Sequence, residues 1–299
     1  MSVVSASPVE CLDGHNFEKH DSGFEVKIEA PINIALIKYW GKRNEDLILP
    51  LNDSISLSIN QLTATTTISF GRHILQDSVM LNGKVVQEGG TGFTRFRRVF
   101  QEVRRLTMRK RSYAGCLKPI MTNDQLDSWH IKIVSETNFP VAAGLASSAA
   151  GFAAIAYGLG QIFQLPEREI TRLARIGSGS ACRSIKGGFV HWKAGQSEVD
   201  DSDCFCETIA PASHWPDLRA LIIVINEAEK KVGSSQGMRN TIQTSSLLQT
   251  RVQELVPQRV KDLTEAIKSR ILSSWRGLQW LSPTNFMLFA WTLTHLFIT

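Results

Sequence analysis

Cysteine is scarce in this sequence and has no regular spacing. The five cysteines are Cys11, Cys116, Cys182, Cys204 and Cys206. An odd number without a repeated interval excludes a disulfide framework, and the intervals do not match those of a zinc site. Free thiols suit a reducing compartment, so the cysteine content favours the cytosol.

The sequence also lacks a secretion signal and a long apolar run. Residues 1–25 are polar, so we expect a flexible leader there. The apolar run at 286–298 is short for a membrane span, and no membrane association is expected. The 33 basic residues exceed the 28 acidic ones, partly through a basic stretch at 95–111. No nucleic-acid motif accompanies this stretch, so we interpret it as solvated surface and expect no nucleic-acid partner; a weaker interpretation is attraction of anionic substrates.

Hydrophobic periodicity and turn residues predict an α+β fold, because strands dominate the first part of the chain and helices the later part. A polar stretch near 194–214 predicts a loop between two domains, at 26–196 and 215–270. The expected elements are strands at 26–30, 32–37, 54–59, 65–70, 129–135, 188–192 and 218–225, a hairpin turning at Asn82–Gly83, and helices at 92–111, 146–163, 167–174, 246–256 and 258–270.

The stretch VAAGLASSAAG at 141–151 combines glycine, serine and alanine at the start of an apolar helix. The first N–H groups of a helix have no internal partner, and the helix dipole is positive there. Gly144 would let an anion approach the backbone, while Ser147 and Ser148 add hydroxyl donors. The alternative is close helix packing with the serines as caps. The stretch is neither a Walker A loop nor a G-x-G-x-x-G motif.

Three further stretches combine small or aromatic residues with cations. They are Lys38-Tyr39-Trp40-Gly41-Lys42-Arg43, Gly177-Ser178-Gly179-Ser180-Ala181-Cys182-Arg183-Ser184, and Gly233-Ser234-Ser235-Gln236-Gly237-Met238 after two lysines. Taken singly, each has a plain structural interpretation, such as a strand end or a flexible turn. Four anion-friendly stretches together favour a site for a phosphorylated substrate and a nucleotide.

These motifs, with Ala30-Pro31-Ile32-Asn33-Ile34-Ala35 and Asn138-Phe139-Pro140, closely resemble diphosphomevalonate decarboxylases of the GHMP kinase superfamily, from about residue 24 to Arg270. The resemblance implies a GHMP kinase-like α+β fold. Its N-terminal domain would be similar to the second domain of ribosomal protein S5, followed by an incomplete ferredoxin-like domain, with the active site in the cleft between them.

The implied reaction is the ATP-dependent decarboxylation of mevalonate 5-diphosphate to isopentenyl diphosphate, which releases ADP, phosphate and CO2 on the mevalonate route to isoprenoids and sterols. The resemblance implies ATP with Mg²⁺ as cofactor, and no all-protein metal site is expected because the metal would be held largely through phosphates. A homodimer is a candidate assembly, since the family is commonly dimeric.

The resemblance also assigns residues to roles. Lys38 and Arg183 would be catalytic, with Lys38 near the transferred phosphoryl group and Arg183 as the main clamp. The nucleotide would contact Gly144, Leu145, Ala146, Ser147 and Ser148. The substrate would contact Tyr39, Trp40, Gly41, Lys42, Ser178, Gly179, Ser180, Ala181, Cys182, Arg183 and Ser235.

The sequence departs from the family pattern at two places. Ser78 stands where the family usually has an arginine, so one diphosphate contact is expected to be lost or supplied by a neighbour. The apolar tail at 271–299 replaces the family's continuation, which carries the expected catalytic aspartate in an Asp-Ala-Gly-Pro-Asn-like loop. Three hypotheses follow: an active decarboxylase, a truncated and catalytically impaired chain that binds only nucleotide or partners, and a related GHMP small-molecule kinase.

Overall fold

The computed structural model describes residues 10–11, 17–20, 23–113, 123–139, 147–218, 220–224, 233–271 and 294–298. Its strands are β1 Glu10–Cys11, β2 Phe17–His20, β3 Gly23–Ile37, β4 Lys42–Asn44, β5 Leu49–Pro50, β6 Ser54–Gly71, β7 Ser78–Leu81, β8 Lys84–Val85, β9 His130–Thr137, β10 Phe189–Lys193, β11 Phe205–Ala210, β12 Ala220–Val224 and β13 Thr294–Ile298. The α-helices are α1 Thr94–Tyr113, α2 Asn123–Ser128, α3 Ser147–Ile162, α4 Glu167–Gly177, α5 Ser234–Thr244, α6 Leu247–Thr250 and α7 Val256–Ser269. The expected α+β class is confirmed.

The main sheet is built around the antiparallel pair β3 and β6. The sequence predicted two strands in each of these segments, but each forms one long strand. The register shifts between Pro31, which lies opposite Thr63, and Ile32, which lies opposite Ile59. Proline cannot donate to the ladder and is accommodated at such an irregularity, so it interrupts the register without ending β3.

The predicted hairpin is confirmed as β7 and β8. Asn82 and Gly83 have φ values of 46° and 75°, as a two-residue type I′ turn requires. Strand β7 also pairs in parallel with β9, which joins the hairpin to β6 through β9.

Helices α1, α3 and α4 cover the main sheet and enclose the largest hydrophobic core. Helix α3 lies close to β3 and β6 because it has glycine where it crosses them. A Cβ added to Gly158 would lie 2.3 Å from Ile68 Cδ1 and 3.1 Å from Ile28 Cγ1. The small residues of α3 therefore serve close packing along the helix body, while the anion hypothesis concerns only its first turn.

Two expectations about loops are wrong for particular residues. Within the predicted leader, Glu10–Cys11 and Phe17–His20 are strands that pair with β3, because the edge of β3 away from β6 offers unpaired backbone groups. Within the predicted inter-domain loop, Phe205–Ala210 forms β11 and pairs with β10 in the main sheet. The polar residues before β11 hid this strand. The domain boundaries themselves stay predictions.

The later part of the chain adds a two-stranded sheet, β12 and β13, and a helical layer that consists of α5, α6 and α7. Strand β12 confirms the predicted strand and pairs with β13, which the sequence analysis missed inside the apolar tail. Helix α5 was also missed. The two helices predicted on either side of Pro257 are continuous, because a π-helical turn at Arg251–Leu255 accommodates a proline that lacks an N–H donor.

Helix α7 packs against the main sheet. Its Val256, Leu263 and Ile267 share one hydrophobic cluster with Ile37 of β3 and Phe189 of β10. This contact holds the helical layer beside the ends of β3 and β6. None of the helices in the described ranges is both long enough and apolar enough to cross a membrane.

Candidate active site

Arg183 is the centre of the candidate site. It lies on a 3-10 turn, Gly179–Ser184, that follows α4, and it is only 2% exposed. Its Nη2 donates to Asn33 Oδ1 at 3.1 Å, whereas Nε and Nη1 are buried and have no hydrogen-bond partner among the described residues. Burial lowers the pKa of Arg183. Buried donors are normally paired, so these two nitrogens make Arg183 a candidate partner for an anion.

Asn33 of β3 orients the turn that carries Arg183. Its Nδ2 donates to the Ser180 carbonyl oxygen at 3.0 Å and to Ser184 Oγ at 2.7 Å. Asn33 was not among the expected site residues. The sequence did carry a signal for it, because a single amide interrupts the apolar run at 32–37.

Tyr39 packs between the turn and the core below it. Its ring centroid lies 4.9 Å from that of Trp192, and Trp192 is fully buried in β10. Burial, with a contribution from the charge of Glu45, raises the pKa of Tyr39. The phenol therefore stays neutral at physiological pH and can donate a hydrogen bond.

Gly179 makes room for Tyr39. A Cβ at this position would lie 3.0 Å from Tyr39 Cε1 and 3.1 Å from its Oη. With mevalonate 5-diphosphate, the substrate that the family resemblance implies, as the test ligand, we expect Gly179→Ala to displace the ring by a few tenths of an ångström and to weaken binding by about 10-fold, because a misplaced contact near the reacting groups is costly. Calorimetric titration of the folded variant checks this value. Gly89→Ala, where nothing lies within 4 Å, is the matched control, and equal affinities for the two variants would contradict the expectation.

The loop after β3 meets α5 at Trp40 and Gly41. A Cβ added to Gly237 would lie 3.6 Å from the Trp40 ring, and Gly41, at φ +93°, lies close to Leu51 and Ile242. Trp40 Nε1 is buried without a hydrogen-bond partner in the described part of the chain. Ser235 is exposed on the first turn of α5. With the contact between Tyr39 and Gly179, the structure thus brings three of the four predicted stretches together.

The two lysines of the Lys-Tyr-Trp-Gly-Lys stretch have different surroundings. Lys42 Nζ forms a 2.5 Å ion pair with Glu45, and its side chain is 7% exposed, so an anionic ligand would compete with a carboxylate for it. The Lys38 carbonyl oxygen accepts hydrogen bonds from Asn52 Nδ2 at 3.1 Å and from Arg251 Nη2 at 2.7 Å. Neither Asn52 nor Arg251 was expected at the site.

The predicted nucleotide segment lies only partly within the described residues. Gly144, Leu145 and Ala146 lie outside them, and Ser147 and Ser148 begin α3 as expected. Ser148 Oγ is 3.2 Å from Ser178 Oγ, so the first turn of α3 adjoins the start of the 3-10 turn that carries Arg183. In the described ranges no group of three His, Cys, Asp or Glu side chains is placed to hold a metal ion.

Two expected substrate residues turn their side chains into the core. Ala181 and Cys182 are at most 1% exposed, and Cys182 Sγ donates to the Gly179 carbonyl oxygen at 3.0 Å. They can contribute only backbone groups to a ligand. Ser78 opens β7 opposite Lys132 of β9, and the loss of a diphosphate contact there stays a prediction.

Part of the basic stretch at 95–111 is structural rather than solvated. Arg95 Nε donates to the Gly177 carbonyl oxygen at 2.7 Å, and its guanidinium lies 4.6 Å from the centroid of Phe152. Arg104 pairs with Asp77 at 3.1 Å. Arg95 is exposed and also fixes the end of α4, from which the 3-10 turn departs. The interpretation as solvated surface charge is wrong for Arg104, whose side chain is 21% exposed.

Comparison with known proteins shows the family of the chain. The family of the diphosphomevalonate decarboxylase-like N-terminal domain matches residues 30–206, and the mevalonate 5-diphosphate decarboxylase C-terminal domain matches residues 220–275. The chain is 43% identical over 263 residues to the diphosphomevalonate decarboxylase of Bos taurus, covering 87% of this chain but 64% of the relative. The chain therefore spans less than two thirds of the length of that relative.

Solved structures agree as well. The mevalonate diphosphate decarboxylase of Trypanosoma brucei is 37% identical with a TM-score of 0.76, over 89% of this chain and 67% of the other. A second neighbour, MDDEF, was solved with MVAPP, AMPPCP and magnesium; it is 36% identical with a TM-score of 0.73, over 91% of this chain and 75% of the other. The fold is that of the GHMP kinases, and the chain belongs to the diphosphomevalonate decarboxylase family.

Proposed function

We propose that this chain binds mevalonate 5-diphosphate and ATP and catalyses the ATP-dependent decarboxylation that yields isopentenyl diphosphate. The observation that carries the proposal is the buried Arg183 guanidinium, which has two unpartnered nitrogens at the junction of the 3-10 turn and Asn33. Family membership supplies the substrate class. Localisation in the cytosol and a homodimer belong to the same proposal, tested by cell fractionation and light scattering.

The chemistry requires a better leaving group than a tertiary hydroxyl. Bound with Mg²⁺, ATP supplies the phosphoryl group that converts this hydroxyl into a phosphate ester. The C–O bond to phosphate then breaks, and the electron pair of the carboxylate C–C bond forms the new double bond as CO2 leaves. Positioning and charge neutralisation are what the protein contributes to such a reaction.

The residues divide into a substrate side and a nucleotide side. Arg183 would bind the carboxylate or diphosphate through charge-assisted hydrogen bonds from Nε and Nη1, which lie on different edges of the guanidinium. Tyr39 and Trp40 would pack against the substrate, with Trp40 Nε1 as a further donor. Ser147, Ser148 and the first N–H groups of α3 would receive the ATP phosphates. Lys38 would lie near the transferred phosphoryl group.

The test is turnover by the purified 299-residue chain. Mevalonate 5-diphosphate and Mg-ATP are supplied, and ADP and CO2 are assayed separately. Stoichiometric ADP and CO2 are expected, and Arg183→Met should release neither. ADP without CO2 would indicate a small-molecule kinase. Binding of both ligands without ADP or CO2 would favour the catalytically impaired chain, and failure of the folded protein to bind mevalonate 5-diphosphate would refute the proposal.

A further inference from the structure

Arg251 connects the helical layer to the loop that follows β3. It lies at the start of the π-helical turn between α6 and α7 and is 4% exposed. Its Nη1 donates to Asn52 Oδ1 at 2.7 Å and its Nη2 to the Lys38 carbonyl oxygen at 2.7 Å. Asn52 in turn donates to the same Lys38 oxygen at 3.1 Å. Two side chains from distant parts of the sequence therefore hold one carbonyl oxygen.

The Lys38 carbonyl oxygen lies at the point where β3 ends and the loop with Tyr39 and Trp40 begins. Strand β3 ends at Ile37, so the Lys38 carbonyl is the first one beyond the strand and needs a partner outside it. The next residues are Tyr39, which adjoins Gly179, and Trp40, which contacts α5 near Gly237. A rotation of the Lys38 peptide would move both rings together.

Arg251 is suited to hold a peptide firmly. Burial lowers its pKa to about 10, so the group stays protonated at neutral pH, and hydrogen bonds from a charged donor are roughly twice as strong as those between neutral groups. A buried charge is costly to keep, and the two hydrogen bonds given above join it to Asn52 and to the Lys38 carbonyl oxygen. π-helical turns are also frequent at functional sites.

We propose that Arg251 is a positioning residue for the mevalonate 5-diphosphate side of the site, which acts through the Lys38 carbonyl and Asn52 to fix Tyr39 and Trp40. This inference rests on the proposed function, since it concerns the same ligand. It extends that function by making the helical layer a determinant of substrate affinity, although Arg251 itself touches neither of the two rings in the contacts described above.

Two measurements on Arg251→Met and Arg251→Lys test the inference. Hydrogen exchange of the peptide covering 38–42 should be at least about 5-fold faster in Arg251→Met. Calorimetry should find binding of mevalonate 5-diphosphate weakened by about 10- to 50-fold, while binding of Mg-ADP changes by less than 2-fold. Arg251→Lys should recover part of both effects, because an ammonium can reach one of the two acceptors. Asn52→Ala combined with Arg251→Met should cost less than the sum of the single changes, since both act on one oxygen.

Lys261→Met is the matched control, because it removes an exposed positive charge from the same helical layer. It should leave exchange at 38–42 and both affinities unchanged. Unchanged exchange in Arg251→Met, or faster exchange with unchanged affinity, would overturn the inference. Equal weakening of both ligands with a lower melting temperature would also overturn it, in favour of a general structural role. A wild-type chain that binds no mevalonate 5-diphosphate would instead refute the proposed function, so the two failures are distinguishable.

Discussion

Replacing Arg183 with methionine is expected to weaken binding of mevalonate 5-diphosphate by at least about 30-fold, while leaving the unliganded protein at least as stable as the wild type. The guanidinium is buried, and two of its nitrogens have no hydrogen-bond partner within the described residues. Its desolvation is therefore only partly offset by Asn33 and by the Trp192 ring, 5.7 Å away. An apolar side chain of similar volume removes that cost, and the anion loses its main partner.

The size of the effect follows from the pairing of charges in a desolvated site. Removing one partner of a buried, hydrogen-bonded charge pair costs about 2–5 kcal/mol, which corresponds to a loss in affinity of at least about 30-fold. Differential scanning fluorimetry with and without mevalonate 5-diphosphate measures both quantities. The wild type should be stabilised by the ligand, and Arg183→Met should melt at the same or a higher temperature and show no ligand-induced shift.

Two comparisons make the result for Arg183 decisive. Arg183→Lys keeps the charge but replaces the separate Nε and Nη1 donors with one ammonium group, so we expect intermediate affinity. Mg-ADP should stabilise all three proteins equally, because Ser147 and Ser148 belong to α3. A marked destabilisation of unliganded Arg183→Met would mean that the guanidinium is part of the core rather than a binding group. A preserved ligand-induced shift would remove Arg183 from the substrate site.

The features that could be predicted from the sequence each depend on residues that are close together along the chain. The Asn82–Gly83 turn, the first turn of α3 and the Gly-Ser turn with Arg183 each combine special residue types within a few positions, and such combinations indicate backbone geometry or anion binding directly. The structure has the Asn-Gly turn in a hairpin and puts Ser148 and Ser178 within 3.2 Å of each other.

The residues that sequence reasoning missed depend on long-range contacts. Asn33 meets Ser180 across 147 positions, and Arg251 meets Lys38 across 213 positions. An asparagine in a strand and an arginine on a helix are ordinary in isolation, and only the packing of α7 on the main sheet gives Arg251 its partner. The same reason explains why β11 was missed, since the polar residues before it suggested a loop while β10 supplied the pairing.

Trp192 connects the stability of the core to the geometry of the site, and its removal is the second large effect we expect. The side chain is fully buried, its Nε1 donates to Cys204 Sγ at 3.3 Å, and its ring supports Tyr39 and Arg183. Trp192→Ala should lower the free energy of unfolding by about 3–5 kcal/mol, a large fraction of the total for a domain. It should also weaken mevalonate 5-diphosphate binding by about 10-fold or more in the protein that remains folded.

Trp129 provides a matched control for this coupling. It is also buried, but it packs on Phe24 and Phe70, at the end of the β3–β6 pair opposite to Lys38. Trp129→Ala should cost a similar free energy of unfolding, measured by urea denaturation, and leave the affinity of the folded fraction unchanged. Trp192→Phe keeps a ring beneath Tyr39 and should cost less in both measurements. If the Trp192→Ala variant is less stable but binds the ligand normally, the Trp192 ring stabilises only the core. Tyr39 and Arg183 would then be positioned by their contacts with Gly179 and Asn33.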